Sequence, residues 1–225
     1  MTKKLNVLLL IVSLWGAQIW TQPSETNFVI VNNTPAHLSL RVVSNADQSV
    51  EIGFELENAG DVAFFDKPSD AKWTLQLFRN GEIVNTRSLN GINYGFFAIT
   101  SNDSGGFILN GPHQNARNAY YFVNASDIAT RFHFDFTSAF CSVPINGVPV
   151  GSFDFRSYDI PNNPRDRKQC ITDIIYAQFR LEGRERQTNR ITPKNAGGNI
   201  TRGVVVFYKN SNNGVLIKGP YKLKP

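Results

Sequence analysis

Few side chains in this sequence are of the kinds that carry out chemistry, and their spacing narrows the options further. There are three histidines, His37, His113 and His133, and two cysteines, Cys141 and Cys170. Hydrolysis needs a nucleophile beside a base or a metal-activated water, and a zinc site takes several His or Cys ligands. None of the HExxH, GxSxG, Gly-x-x-x-x-Gly-Lys or CxxC patterns that supply such groups occurs. The best constellation is Arg131, His133 and Asp135, whose two-residue spacing puts them on one side of an extended strand. It would make a pH-sensitive or binding patch, though a solvated strand face carries such mixed charge without any chemistry. Asp154, Asp159, Asp166 and Asp173 could supply carboxylates for glycoside hydrolysis or for calcium, but they match neither pattern in spacing. The expectation is no catalytic residue, no metal ligand, no cofactor and a role other than catalysis.

The elements that would position these residues are strands. Val50, Ile52, Phe54 and Leu56 alternate with Glu51, Gly53, Glu55 and Glu57; Trp73, Leu75 and Leu77 alternate with Thr74 and Gln76; Phe132, Phe134 and Phe136 alternate with charged neighbours. Period-two alternation marks strands with one face buried. Further strands are expected at Phe28–Val31, Leu38–Val43, Glu82–Thr86, Tyr120–Val123, Ile171–Leu181, Val204–Tyr208 and Val215–Lys218. Ile171–Leu181 also fits helical spacing. Asn80-Gly81 between two such runs is a hairpin signal, and Asn58-Ala59-Gly60-Asp61 reads as a turn between two strands. No internal repeat of fixed period is visible. Seventeen Phe, seven Tyr and three Trp supply a substantial core.

Lys3 and Lys4 ahead of the apolar run Leu5–Trp15 have the form of a secretory signal peptide, here assigned to residues 1–22. The run is too short for the ~20 residues that span a bilayer, and no later segment suggests a transmembrane span. In a secreted chain Cys141 and Cys170 are expected to pair as a disulfide, stabilising by about 3–4 kcal/mol in the chain-entropy account. Asn32, Asn102, Asn124 and Asn199 are candidate N-glycosylation sites, each opening an Asn-x-Ser/Thr sequon.

Charge divides the chain. Residues 23–140 hold seven Lys/Arg against twelve Asp/Glu, and residues 141–225 hold fourteen against six. With Pro144, Asn146-Gly147 and Pro149 just beyond, this places a boundary near residue 140, with an acidic sandwich at 23–140 and a smaller, basic, β-rich, disulfide-bearing unit at 141–225. Arg165, Arg167, Lys168, Arg184 and Arg186 are candidate polyanion-binding residues. Outside the cell their partner would be an acidic polysaccharide or another wall or matrix component, or a second copy of the chain, rather than nucleic acid.

The stretch with Phe54, Leu56, Asn58 and Gly60, followed by Asn80, Gly81 and Glu82, resembles the Ig-like β-sandwich domains of extracellular proteins, including the N-terminal region of aspzincin metallopeptidases. The resemblance spans about residues 36–137 and implies an Ig-like antiparallel sandwich in an all-β chain. It implies no peptidase activity, because residues 141–225 contain no histidine. The functional expectation is a non-catalytic secreted glycoprotein, a structural component of a wall, coat or matrix made at a stage such as encystment or sporulation. The alternative is a secreted binding module or inhibitor that recognises a glycan, a polyanion or a protein.

Overall fold

The protein is described by a computed structural model over residues 26–66, 72–114, 119–138, 142–159, 174–181, 189–191, 202–212 and 214–224. Within these residues every regular element is a strand. The first eight are β1 (Phe28–Asn32), β2 (Leu38–Ser44), β3 (Val50–Leu56), β4 (Val62–Phe65), β5 (Trp73–Arg79), β6 (Glu82–Ser88), β7 (Gly95–Ser101) and β8 (Phe107–His113). The second eight are β9 (Ala119–Ala125), β10 (Thr130–Ser138), β11 (Ser142–Val150), β12 (Asp154–Asp159), β13 (Ile174–Leu181), β14 (Asn189–Ile191), β15 (Arg202–Lys209) and β16 (Val215–Lys222). The segment with the helix-compatible spacing is therefore strand from Ile174. The expected hairpin forms at Asn80 and Gly81, with φ of 53° and 82°, the pair of positive values that a type I′ turn requires.

The strands make four four-stranded sheets, in the orders β4-β1-β7-β8, β3-β2-β5-β6, β12-β9-β15-β16 and β11-β10-β13-β14. Adding eight to each strand number converts the first two orders into the last two. The pairing senses repeat as well: β1 runs antiparallel to β4 and parallel to β7, as β9 does to β12 and β15. The chain is thus an internal duplication of one eight-stranded unit.

That duplication moves the expected boundary. Residue 140 lies between β10 and β11, which pair from Thr130↔Val150 to Thr137↔Ser142, so a division there would cut a hairpin. The units meet between His113, which ends β8, and Ala119, which begins β9. Charge misplaced the boundary because it is a surface property, blind to strand pairing. The polarity itself survives: residues 26–114 hold nine acidic and five basic residues, and residues 119–224 eight and fifteen.

The layer order follows from which face each residue uses. Phe28 and Ile30 of β1 pack with Leu38, Leu40 and Leu75 in the interior of the first unit. Their neighbours Val29 and Val31 face the other way, joining Tyr121, Val123, Val204 and Val206 in a second core. The sheet of β1 therefore packs against the sheet of β9, and both of its faces are buried. Tyr120 and Phe122, on the far face of β9, are buried too, and burial pushes the Tyr120 phenol well above its ordinary range. This explains why Phe28–Asn32 is apolar throughout instead of alternating: a strand covered on both sides has no solvent face.

Two recurrent details pin each unit. At the end of β1, Asn32 Nδ2 donates to the carbonyls of Ala36 (2.8 Å), Asn58 (3.2 Å) and Leu56 (3.3 Å), while its Oδ1 accepts from Thr34 Oγ1 (2.8 Å). At the end of β9, Asn124 Nδ2 donates to the carbonyls of Ile128 (2.7 Å) and Gly151 (2.8 Å), and its Oδ1 accepts from Ser126 Oγ (2.6 Å). Both asparagines are buried. Nδ2 is the atom that would carry a glycan, so this geometry leaves no room for one at Asn32 or Asn124. The hydroxyl residue that completes each sequon is here the partner of the asparagine carbonyl. The second detail is the β7–β8 turn, where Gly106 N donates to Asn102 Oδ1 (2.7 Å), matched between β15 and β16 by Gly214 N on Asn210 Oδ1 (2.7 Å). Asn102 is exposed, so its sequon remains open to a glycan.

Candidate functional site

Three edge strands meet on one side of the molecule. β3 ends one sheet, β4 ends the next, and β16 ends the sheet packed against it. Between them lies a groove of about 520 Å³. From β3 it is bordered by Gly53, Phe54 and Glu55, with Glu57 just beyond; from β4 by Val62 and Phe64, with Asp61 just before; and from β16 by Lys218 and Tyr221. The stretch 50–65 forms two of its three walls, because Asn58-Ala59-Gly60-Asp61 carries the chain from one sheet to the next. That turn is held by Asp61 Oδ2, which accepts from Asn58 N at 2.8 Å.

The floor is aromatic and the rim acidic. The Phe64 and Tyr221 rings are tilted, with centroids 5.8 Å apart, and the Phe54 ring leans on Phe65 at 6.1 Å. Lys218 Nζ stands 3.3 Å from Asp61 Oδ1, donates to the Gly60 carbonyl at 3.4 Å, and lies 4.1 Å above the Tyr208 ring. Burial, followed by the nearby Asp61 charge, raises the pKa of the Tyr208 phenol. With Asp61 matched by Lys218, the uncompensated charge at the groove comes from Glu55 and Glu57. His37 Nε2 approaches Glu55 at 3.4 Å from the β2 side, and both side chains are exposed. Aromatic faces beside exposed carboxylates suit recognition of a ligand that carries positive charge or hydrogen-bond donors.

The duplication supplies an internal control. Adding 108 to each number from 95 to 113 gives 203 to 221, pairing Gly111-Pro112-His113 with Gly219-Pro220-Tyr221. At the matching corner His113 of β8 meets β12. There its ring lies 4.9 Å from Phe155, 5.7 Å from Phe96 and 5.9 Å from Tyr121. The strand registers make Phe155 the counterpart of Val62. A large ring thus fills the corner that valine leaves open in the first unit. Asp154, counterpart of Asp61, faces Arg156 at 3.3 Å.

No protein-family model matches this chain, and no curated protein matches it in sequence.

The residues singled out by sequence are not brought together. Arg131 is exposed on β10, whose strand also carries His133 and Asp135. Asp154 begins β12 and Asp159 ends it, away from the groove lining. Asp166, Asp173, Cys141, Cys170, Asn199, Arg165, Arg167, Lys168, Arg184 and Arg186, together with the signal-peptide segment, lie outside the described residues. Among the described residues no group of three or more His, Cys, Asp or Glu side chains could hold a metal ion, and no helix is long and apolar enough to cross a membrane. The groove itself escaped sequence reasoning because its walls are 150 residues apart in the chain. One signal was legible: Gly-x6-Asn-x3-Gly-x4-Gly-Pro occurs at 95–112 and again at 203–220. The offset between units grows from 92 at β1/β9 to 108 at β7/β15, so a search at constant period passes over it.

His113, although it follows the turn-forming residues Asn110-Gly111-Pro112, ends β8 among rings. Its Nε2 is buried without a hydrogen-bond partner among the described residues. Burial lowers its pKa below the ordinary 6.5, against an opposing contact with the Asn110 backbone. A base whose folded pKa is depressed binds protons more readily when unfolded. Its contribution is therefore intact above the unfolded value and is lost as pH falls from about 6.5 through the folded value. Urea unfolding across that window should show a decline in stability that His113→Phe removes; a decline of equal slope in the variant would assign it to other groups.

Proposed function

We propose that this chain is a secreted, non-catalytic binding module that holds an extracellular partner in the groove between β3, β4 and β16. The observation that carries the reading is the contrast between the two matching corners. One is filled by Phe155 and His113, while the other keeps an open groove with an aromatic floor and the exposed carboxylates of Glu55 and Glu57 on its rim. A purely structural role in a wall or matrix, the other expectation from the sequence, requires no such difference. Secretion is supported by the basic and apolar leader pattern at residues 1–22. Kinship with Ig-like sandwiches belongs to the same proposal. It is supported by the packing of four-stranded sheets in the first unit and by the hairpin at Asn80-Gly81.

Gly53 offers a clean test. A Cβ built there meets nothing within 4 Å, so Gly53→Arg should leave the fold intact; the gain of about 0.5–1 kcal/mol from replacing a strand glycine is offset by the like charge of Arg41, directly opposite on β2. It would also place a large cation in the groove. On an array of extracellular glycans and peptides, the wild-type protein should retain at least one class of ligand that Gly53→Arg loses by tenfold or more. Retention unaffected by the substitution, or no retention at all, would end this reading.

A further inference from the structure

The way β3 borders the groove specifies the kind of partner. Gly53, Phe54 and Glu55 are consecutive, so their side chains leave alternate faces of the sheet, yet all three line the groove. What β3 presents there is its edge. As the terminal strand of the order β3-β2-β5-β6, it turns every second N–H and C=O outward, without a ladder partner among the described residues. Such an edge receives an extended peptide through main-chain hydrogen bonds, while alternate side chains set specificity.

The side chains along this edge complement one charge pattern. Glu55 on β3 and Glu57, one residue past its end, are two positions apart, a spacing of about 6–7 Å in extended backbone. That is also the spacing of alternate residues in an added strand. The open space at Gly53 admits a long side chain beside them. Asp61 is already matched by Lys218 at 3.3 Å, which leaves Glu55, approached by the exposed His37 ring at 3.4 Å, and Glu57 to attract the partner. Opposite charges across a strand pair stabilise it, and like charges oppose it.

Resting on the reading of the groove as a binding site, we infer that β3 takes up an extended peptide segment with lysine or arginine at alternate positions, as a fifth strand of its sheet. One basic residue lies opposite Glu55 and the next beside Glu57, just past the end of β3, and an intervening side chain reaches the Phe64 and Tyr221 rings.

The test uses the purified chain and four probes: a capped peptide alternating lysine and threonine, the same peptide N-methylated along one backbone edge or along the other, and a soluble glucosamine oligomer. The alternating peptide should bind, weaken at least tenfold on N-methylation of the edge that pairs, and weaken similarly with Glu55→Gln/Glu57→Gln and with added salt. Methylating each edge in turn covers both orientations. Equal binding of both methylated peptides would overturn strand addition, and equal binding by the double glutamine variant would overturn the charge match. Binding of the glucosamine oligomer alone, sensitive to Gly53→Arg, would overturn the peptide inference and leave the groove a binding site. No binding of any probe would overturn the inference, while the array comparison with Gly53→Arg judges the groove separately.

Discussion

Replacing Asn32 with alanine should destabilise the protein by about 3–5 kcal/mol, seen as a large shift of the urea midpoint. The reason is the number of buried and part-buried groups that depend on one side chain. Its amide serves the carbonyls of Ala36, Leu56 and Asn58, and its oxygen accepts from both the backbone and the hydroxyl of Thr34. Alanine leaves the Leu56 carbonyl and the Thr34 N–H and hydroxyl buried without the partner that replaced water, at about 1–3 kcal/mol each where nothing relaxes to meet them, while the part-buried carbonyls of Ala36 and Asn58 add less. Asn124→Ala should cost somewhat less, about 2–4 kcal/mol, because its amide serves two carbonyls, those of Ile128 and Gly151. A loss below about 1 kcal/mol at Asn32 would show that the asparagine does not pin the unit. Peptide mapping of protein recovered from a secreting cell should find both asparagines unmodified; a glycan on either would contradict their inward geometry.

Gly60→Ala should have the second large effect, about 3 kcal/mol or more. Gly60 has φ of +84°, and a Cβ there would sit 2.4 Å from Tyr208 Cβ and 3.0 Å from Tyr208 Cγ. The backbone state is not the main obstacle, because Phe153, in the matching turn before β12, has φ of 46° with a full side chain. The obstacle is the close approach of β15, which lets the turn lie against the second unit. Gly91→Ala separates the two causes: its φ is +74°, but a Cβ there meets nothing within 4 Å. It should cost only the backbone part, about 1–2 kcal/mol. Equal losses at Gly60 and Gly91 would remove the steric explanation. A selective loss at Gly60 would make the inter-unit contact a main support of the first unit.

These two residues also show where sequence reading reached and where it stopped. The turn at 58–61 was legible because Asn, Gly and Asp declare local backbone preferences. Its second purpose, bringing one unit against the other, was not, since Tyr208 is nearly 150 positions away. In sequence Asn32 reads as a glycan site because the sequon is a three-residue pattern. Its burial depends on the end of β3 and the turn after it, whose carbonyls of Leu56 and Asn58 arrive from 24 and 26 residues later. In the same way, Phe155 and Val62 look like ordinary apolar strand residues until the registers of β12 and β4 show that they occupy matching corners. The polyanion reading rests on basic side chains at 165–186, whereas the charged residues bordering the described groove are three carboxylates, Glu55, Glu57 and Asp61, against one lysine, Lys218.

By itself, the sequence determined the all-β class, the positions of most strands and the Asn80-Gly81 hairpin. Alternation, turn chemistry and apolar runs act over a few residues, and the chain obeys them wherever it lies. Only the tertiary structure decided the pairing of β1 with β7 and of β9 with β15, the packing of two duplicated units through their inner sheets, and the groove. Parallel pairing and sheet-on-sheet packing join residues far apart in the chain, and no local pattern encodes which distant edge will meet which. The duplication falls between these cases: its glycines and asparagines stand in the sequence at matched spacing, but drifting loop lengths hide the match until the folded strands align them.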